Sequence, residues 1–107
     1  MPMYLYQAAY TAESMAAQMK NPADRLEAVG GQLKSAGARL VAGGFSFGEH
    51  DIAIIMEAPD DVTMAAISVA IASGGAVRNA KTTRLLSGPE YVEVLKKASS
   101  VQYRPVK

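Results

Sequence analysis

The sequence predicts an α+β fold, with a four-stranded antiparallel sheet, helices between the strands and one more helix after the last. Three observations carry this. Met3–Tyr10 alternates as a strand does, two apolar runs flank the Gly-X pair Gly48-Glu49, and stretches of helical periodicity separate the strands. At 107 residues, half of them apolar, the chain reads as one domain spanning residues 1–107.

In MYLYQAAY, Tyr4, Tyr6, Ala8 and Tyr10 point to one face and Met3, Leu5, Gln7 and Ala9 to the other. Thr11 caps a helix over TAESMAAQMK, with Glu13 in its first turn. Asn21-Pro22 interrupts it, because the residue before a proline avoids the α region. Pro22 suits the first position of a second helix, whose apolar face holds Leu26, Val29, Leu33 and Ala36. Gly30-Gly31 inside that helix predicts close helix–sheet packing. It is no phosphate loop, since it follows a helical pattern and no Gly-Lys-Ser/Thr comes after. Gly37 is the C-terminal stop.

Two strands follow, Arg39–Phe47 and His50–Glu57, joined by a two-residue turn at Gly48-Glu49. That register sets Phe47 opposite His50, Ser46 opposite Asp51, Phe45 opposite Ile52 and Val41 opposite Met56. The face with Val41, Phe45, Phe47, Ile52, Ile54 and Met56 is bulky and is expected to lie beneath helices. The other, with Ala42, Gly44, Ser46, Asp51, Ala53 and Ile55, is small and partly polar. Asp60-Asp61 caps a helix over Val62–Ser73 that is apolar around most of its circumference. It therefore needs cover beyond the sheet, from the C-terminal helix or a partner subunit. Ala76–Leu86 reads as the fourth strand, and Ser87-Gly88-Pro89-Glu90 as a capping box opening the last helix. That helix carries Tyr91, Val94, Leu95 and Ala98 on one face, and the tail VQYRPVK is expected to be loosely held. The order β-α-β-β-α-β, followed by α, is the split pattern of a ferredoxin-like fold.

The chain has no cysteine and one histidine, which excludes disulfides and thiolate chemistry and leaves too few ligands for a zinc site. No metal or other cofactor is expected. The N-terminal stretch has no basic region and Gln7 breaks its apolar run, so no secretory signal is expected and the cytoplasm is the expected location. Val62–Ala72 is too short to cross a membrane. Net charge is +1, but residues 1–77 hold four basic and eight acidic groups while residues 78–107 hold seven and two. With no recognition motif beside the scattered basic residues, this asymmetry points to neutralisation within or between subunits rather than to nucleic acid.

His50 lies between Glu49 and Asp51, yet neighbouring strand side chains point to opposite faces, so His50 and Asp51 do not converge. The candidate ligand-binding set is Ser46, Asp51, Arg78 and Thr82, on the small open face. There Arg78 either pairs with an acid such as Asp51 or binds an anion. Candidate catalytic residues are His50 or Asp51 as base and Tyr10 or Tyr6 as donor. Two functions compete. One is a homodimer that holds a small molecule between facing sheets. The other is a cofactor-free monooxygenase or isomerase, with Arg78 stabilising an anion or enolate. A ligand-free subunit-interaction domain is the third possibility.

The chain resembles the GYD-domain family, small bacterial and archaeal proteins named for a Gly-Tyr-Asp signature. The resemblance runs through Tyr10-Thr11-Ala12-Glu13, Phe47-Gly48-Glu49 with Asp51, and Glu57-Ala58-Pro59-Asp60. It continues through Ser73–Arg78 and Thr82–Leu86 to Pro89-Glu90. His50 stands where the family usually has the tyrosine. The resemblance implies a ferredoxin-like domain similar to the dimeric α+β barrel proteins, in which two sheets face each other, and it implies no established chemistry.

Overall fold

The computed structural model describes residues 1–106, so Lys107 of the expected tail lies outside the described residues. Strand β1 (Met3–Tyr10) leads into helices α1 (Ala12–Lys20) and α2 (Arg25–Ser35). Strands β2 (Arg39–Phe45) and β3 (Ile52–Glu57) form a hairpin. Helix α3 (Asp61–Ser73), strand β4 (Val77–Leu85) and helix α4 (Gly88–Ala98) complete the chain. All strand pairs are antiparallel, in the order β2-β3-β1-β4. This is the predicted ferredoxin-like arrangement with its additional C-terminal helix.

Local chemistry sets most of the boundaries. The Thr11 hydroxyl accepts from the Ser14 N–H at 3.2 Å to open α1. Helix α2 begins at Arg25 rather than at Pro22, because the Asp24 carboxylate accepts from the N–H groups of Leu26 and Glu27 at 3.0 and 3.3 Å. At its other end Gly37 takes φ +78°. The Gly37 N–H donates to Lys34 and the Ala38 N–H to Leu33, closing the helix in a Schellman motif that a residue with a β-carbon disfavours. Asp60 caps α3 through the Thr63 N–H at 2.8 Å. The capping box of α4 is complete: the Glu90 N–H donates to the Ser87 hydroxyl at 3.2 Å and the Ser87 N–H to the Glu90 carboxylate at 2.9 Å.

The core lies between one face of the sheet and helices α2 and α3. Tyr4, Tyr6, Ala8 and Tyr10 of β1 and Ile52, Ile54 and Met56 of β3 meet Leu33, Met64 and Ile67 there. Gly43 of β2 is required by this packing. A β-carbon on it would come within 2.6 Å of Ile54 Cγ2 and 3.0 Å of the Ala53 carbonyl. Gly30 and Gly31 have no such role: a β-carbon at Gly30 would meet Leu40 at an ordinary 3.8 Å, and one at Gly31 would meet nothing.

The hairpin register holds from Ala42↔Ile55 to Phe45↔Ile52, as expected. Both ends differ. A bulge at Val41 puts Leu40, not Val41, opposite Met56 and leaves Val41 exposed. The strands also stop at Phe45 and Ile52, so residues 46–51 form a loop instead of a two-residue turn. The Ser46 N–H donates to the Asp51 carbonyl at 2.9 Å and the Ser46 hydroxyl to the His50 carbonyl at 2.7 Å. Phe45 and Phe47, expected beneath helices, are 51% and 97% exposed, Phe45 at the end of the edge strand β2 and Phe47 in the loop beyond it.

Three apolar surfaces have no cover among the described residues. The far sheet face carries Leu5, Ile55 and Leu85, half-buried only by their neighbours. The outer side of α3 leaves Val62 and Val69 79% and 69% exposed. Helix α4 buries no residue, although Tyr91, Val94 and Leu95 lie on its apolar side. Among the described residues the C-terminal helix thus does not cover α3, contrary to one of the two expected sources of cover. The radius of gyration is 17.1 Å, against about 13 Å for a compact chain of this length.

Candidate functional site

The residues expected to form the site separate. In β4, Arg78 pairs with Ala9 and Lys81 with Gln7, so two residues, Asn79 and Ala80, oppose Ala8 alone. Asn79 takes φ +51°, a left-handed conformation that asparagine tolerates better than most residues. This bulge reverses the alternation. Arg78 stays on the open face, but Thr82 pairs with Tyr6 and turns to the helix face, where its hydroxyl lies 3.0 Å from that of Ser68 in α3. Arg78 is exposed and makes no hydrogen bond or ion pair among the described residues, so the expected pair with Asp51 is not formed.

Asp51 has a backbone task. Its carboxylate accepts from the Tyr10 N–H at 2.8 Å, and its own N–H donates to the Ala8 carbonyl at 2.9 Å. The side chain thereby continues the β1–β3 ladder one residue past the end of β3, on the neighbouring strand rather than within its own turn. His50 is half-buried, and Ser46 is exposed and committed to the loop. Among the described residues no three His, Asp or Glu side chains gather as metal ligands would.

A different place gathers polar groups. Between α2, α3 and the sheet runs a cleft of about 510 Å³, within the range that holds small molecules. Tyr6, Ile54 and Ile67 line it deep inside, with Val29, Leu33 and Ile71 along its walls and Arg25 and Tyr10 at one end. Gln32, Ser35 and Gly74 are exposed and mark its mouth. Strand alternation explains the tyrosines, since Tyr6 and Tyr10 stand on the same face of β1. Arg25 is brought in by Asp24, whose capping starts α2 and points the next side chain over the end of the sheet. Its guanidinium carbon sits 5.4 Å from the Tyr10 ring centroid, a cation–π distance.

Two polar atoms in this cleft are buried without a hydrogen-bond partner, the Tyr6 hydroxyl and Arg25 Nε. Such atoms are uncommon because an unmade buried hydrogen bond costs about 1–3 kcal/mol. Burial, and then the neighbouring Tyr10, push the Tyr6 hydroxyl above its ordinary value of 10.0, so it is a proton donor at neutral pH. Tyr10 and Tyr6 are the sequence candidates that fall in the cleft; Arg25 is not among them. One signal for it exists, namely a cation in the first turn of a helix, where the macrodipole disfavours positive charge.

At the opposite end of β1 the polar groups are satisfied. The Tyr4 hydroxyl donates to Asp61, and Arg84 lies over the Tyr4 ring at 5.7 Å. Arg84 also pairs with Asp61 at 3.7 Å and Glu90 at 3.4 Å, tying the starts of α3 and α4 to β4. Burial and the Asp61 carboxylate raise the Tyr4 hydroxyl, keeping it protonated. Arg39 pairs with Glu57 across the sheet edge.

Sheet order, helix placement and cleft together define a ferredoxin-like α+β domain with an open cavity on its helix side. The chain belongs to the GYD domain family, whose model matches residues 4–95. No curated protein and no solved structure matches the chain. No helix is long and apolar enough to cross a membrane among the described residues.

Proposed function

We propose that this protein is a homodimeric small-molecule binding module, and that the ligand enters the cleft between α2, α3 and the sheet. The observation that carries this is a cleft of about 510 Å³ whose mainly apolar lining contains two buried polar atoms without partners. A ligand that supplies those partners and fills the space removes both deficits. Binding is favoured over catalysis because the ionisable groups lining the cleft are Tyr6, Tyr10 and Arg25, with no carboxylate or imidazole among the described residues. A raised phenol and a guanidinium supply donors, not a base, near neutral pH.

The dimer reading rests on the uncovered sheet face. Burying Leu5, Ile55 and Leu85 against a second copy encloses that face, and the projecting α4 finds apolar surface on the partner. The acidic excess of residues 1–77 and basic excess of residues 78–107 suit such an exchange.

Two measurements test these parts separately. When small apolar compounds are titrated into labelled protein, the methyl resonances of Ile54, Ile67 and Ile71 shift. Shifts confined to Leu5 and Ile55 would instead place the ligand between facing sheets and overturn the cleft assignment. Sedimentation velocity at micromolar concentration gives a dimer that Leu5→Asp dissociates; a wild-type monomer refutes the assembly and leaves the cleft standing.

A further inference from the structure

We infer that the cleft takes an elongated, apolar-bodied carboxylate, its head on Arg25 and an uncharged oxygen acceptor further in, at Tyr6. This ligand class rests on the cleft being the binding site. Arg25 makes no ion pair or side-chain hydrogen bond among the described residues, and its Nε is buried without a partner. A guanidinium Nε shielded from water without a partner is costly, and a planar carboxylate meets guanidinium donors in pairs. The one carboxylate beside it in sequence, Asp24, is occupied in capping α2. The start of α2 adds its positive dipole end to the same place. Tyr10, already under the guanidinium, closes the site from the sheet side.

From there the lining turns apolar. Val29, Leu33, Ile54, Ile67 and Ile71 offer no hydrogen-bonding side chain, which excludes a sugar or a second charged group in the middle of the cleft. The next donor is the Tyr6 hydroxyl, on a residue only 3% exposed. The strand positions of Tyr6 and Tyr10 lie four residues apart, about 13 Å between their Cα atoms at the usual rise. The two polar ends therefore suit an extended molecule better than a compact one.

The test compares decanoate, 1-decanol and 9-oxodecanoate by calorimetric titration at pH 7. The proteins are wild type, Arg25→Gln and Tyr6→Phe, with folding of each variant checked by its thermal melt. Decanoate is expected to bind wild type about tenfold more tightly than 1-decanol, as a charge-assisted contact gives. That preference disappears in Arg25→Gln, while 1-decanol binds as before. The 9-oxo group improves on decanoate about threefold in wild type and not at all in Tyr6→Phe. Equal binding of decanoate and 1-decanol to wild type, which needs no variant, overturns the anionic head and leaves the cleft as an apolar site. A 9-oxo advantage that survives in Tyr6→Phe overturns the inner contact. Failure of all three compounds to bind overturns the ligand class, while the cleft assignment stands or falls on the methyl shifts of Ile54, Ile67 and Ile71.

Discussion

Replacing Asp51 with alanine removes the acceptor of the Tyr10 N–H. Tyr10 is 6% exposed, and the 2.8 Å bond from its N–H to the carboxylate lies where the β1–β3 ladder has run out of strand. Water reaches such a site poorly, so the loss is that of a buried donor left unpaired, about 1–3 kcal/mol. The Asp51→Asn variant keeps a carbonyl oxygen in place but not the charge. Charge-assisted bonds are roughly twice as strong as neutral ones, so this variant is expected to lose about half as much. With a urea slope of about 1.5 kcal/mol/M for a domain of this size, a loss of about 2 kcal/mol lowers the unfolding midpoint by about 1.3 M. Urea denaturation followed by circular dichroism reads this, with protein concentration held fixed because the proposed dimer would make the apparent stability depend on it. An unchanged midpoint in Asp51→Ala refutes the backbone role. If Asp51→Asn loses as much as Asp51→Ala, the charge serves something other than the Tyr10 N–H.

Gly43→Ala is expected to destabilise the fold by about 1–3 kcal/mol in the same assay, because its methyl would meet Ile54 Cγ2 at 2.6 Å and the Ala53 carbonyl at 3.0 Å. Gly31→Ala is expected to do the opposite and stabilise by about 1 kcal/mol, since the added methyl meets nothing and the helix interior gains over glycine. Glu90 provides a pH signature. Its bonds with Ser87, the backbone N–H first, and its pairing with Arg84 hold its carboxyl below the ordinary 4.5. Its contribution is therefore complete above that value and lost as pH falls through the lower folded value. Acid titration of helicity at 222 nm is expected to show a step below pH 4.5 in wild type that is missing in Glu90→Gln; identical curves would show that the capping box does not hold α4.

On the proposed reading, a cleft with unmet polar groups carries a stability cost that a bound ligand offsets. Thermal unfolding of the wild-type protein should therefore rise with a bound carboxylate by mass action. At the same ligand concentration it should rise by less in variants that leave the head without its guanidinium, by what a tenfold weaker affinity gives.

How much is legible in the sequence follows from the range of the interactions involved. Period-two alternation identifies the buried set Tyr4, Tyr6, Tyr10, Ile52, Ile54 and Met56. Caps at Thr11, Asp60 and Ser87 and the stop at Gly37 locate the helices, because each is a contact between residues a few positions apart. The same alternation misplaces Val41 and Thr82. Each bulge, at Val41 and at Asn79-Ala80, adds one residue, and one residue is enough to turn a side chain to the other face. A bulge is decided by how two strands fit across the sheet, which neither strand states alone. Asp51 stands out in the sequence for its charge, but its partner, Tyr10, lies 41 positions away. Arg25 and Tyr6 meet a common cleft only because α2 packs over the helix-side face of the sheet. The sequence by itself determined the order of the elements, the helix caps and the buried stripe of β1 and β3, but not the end of the hairpin or the exposure of Val41, Phe45 and Phe47. Tertiary packing decided which polar atoms lost their water without finding a partner, the observation on which the proposed ligand site rests, because desolvation depends on everything that surrounds an atom.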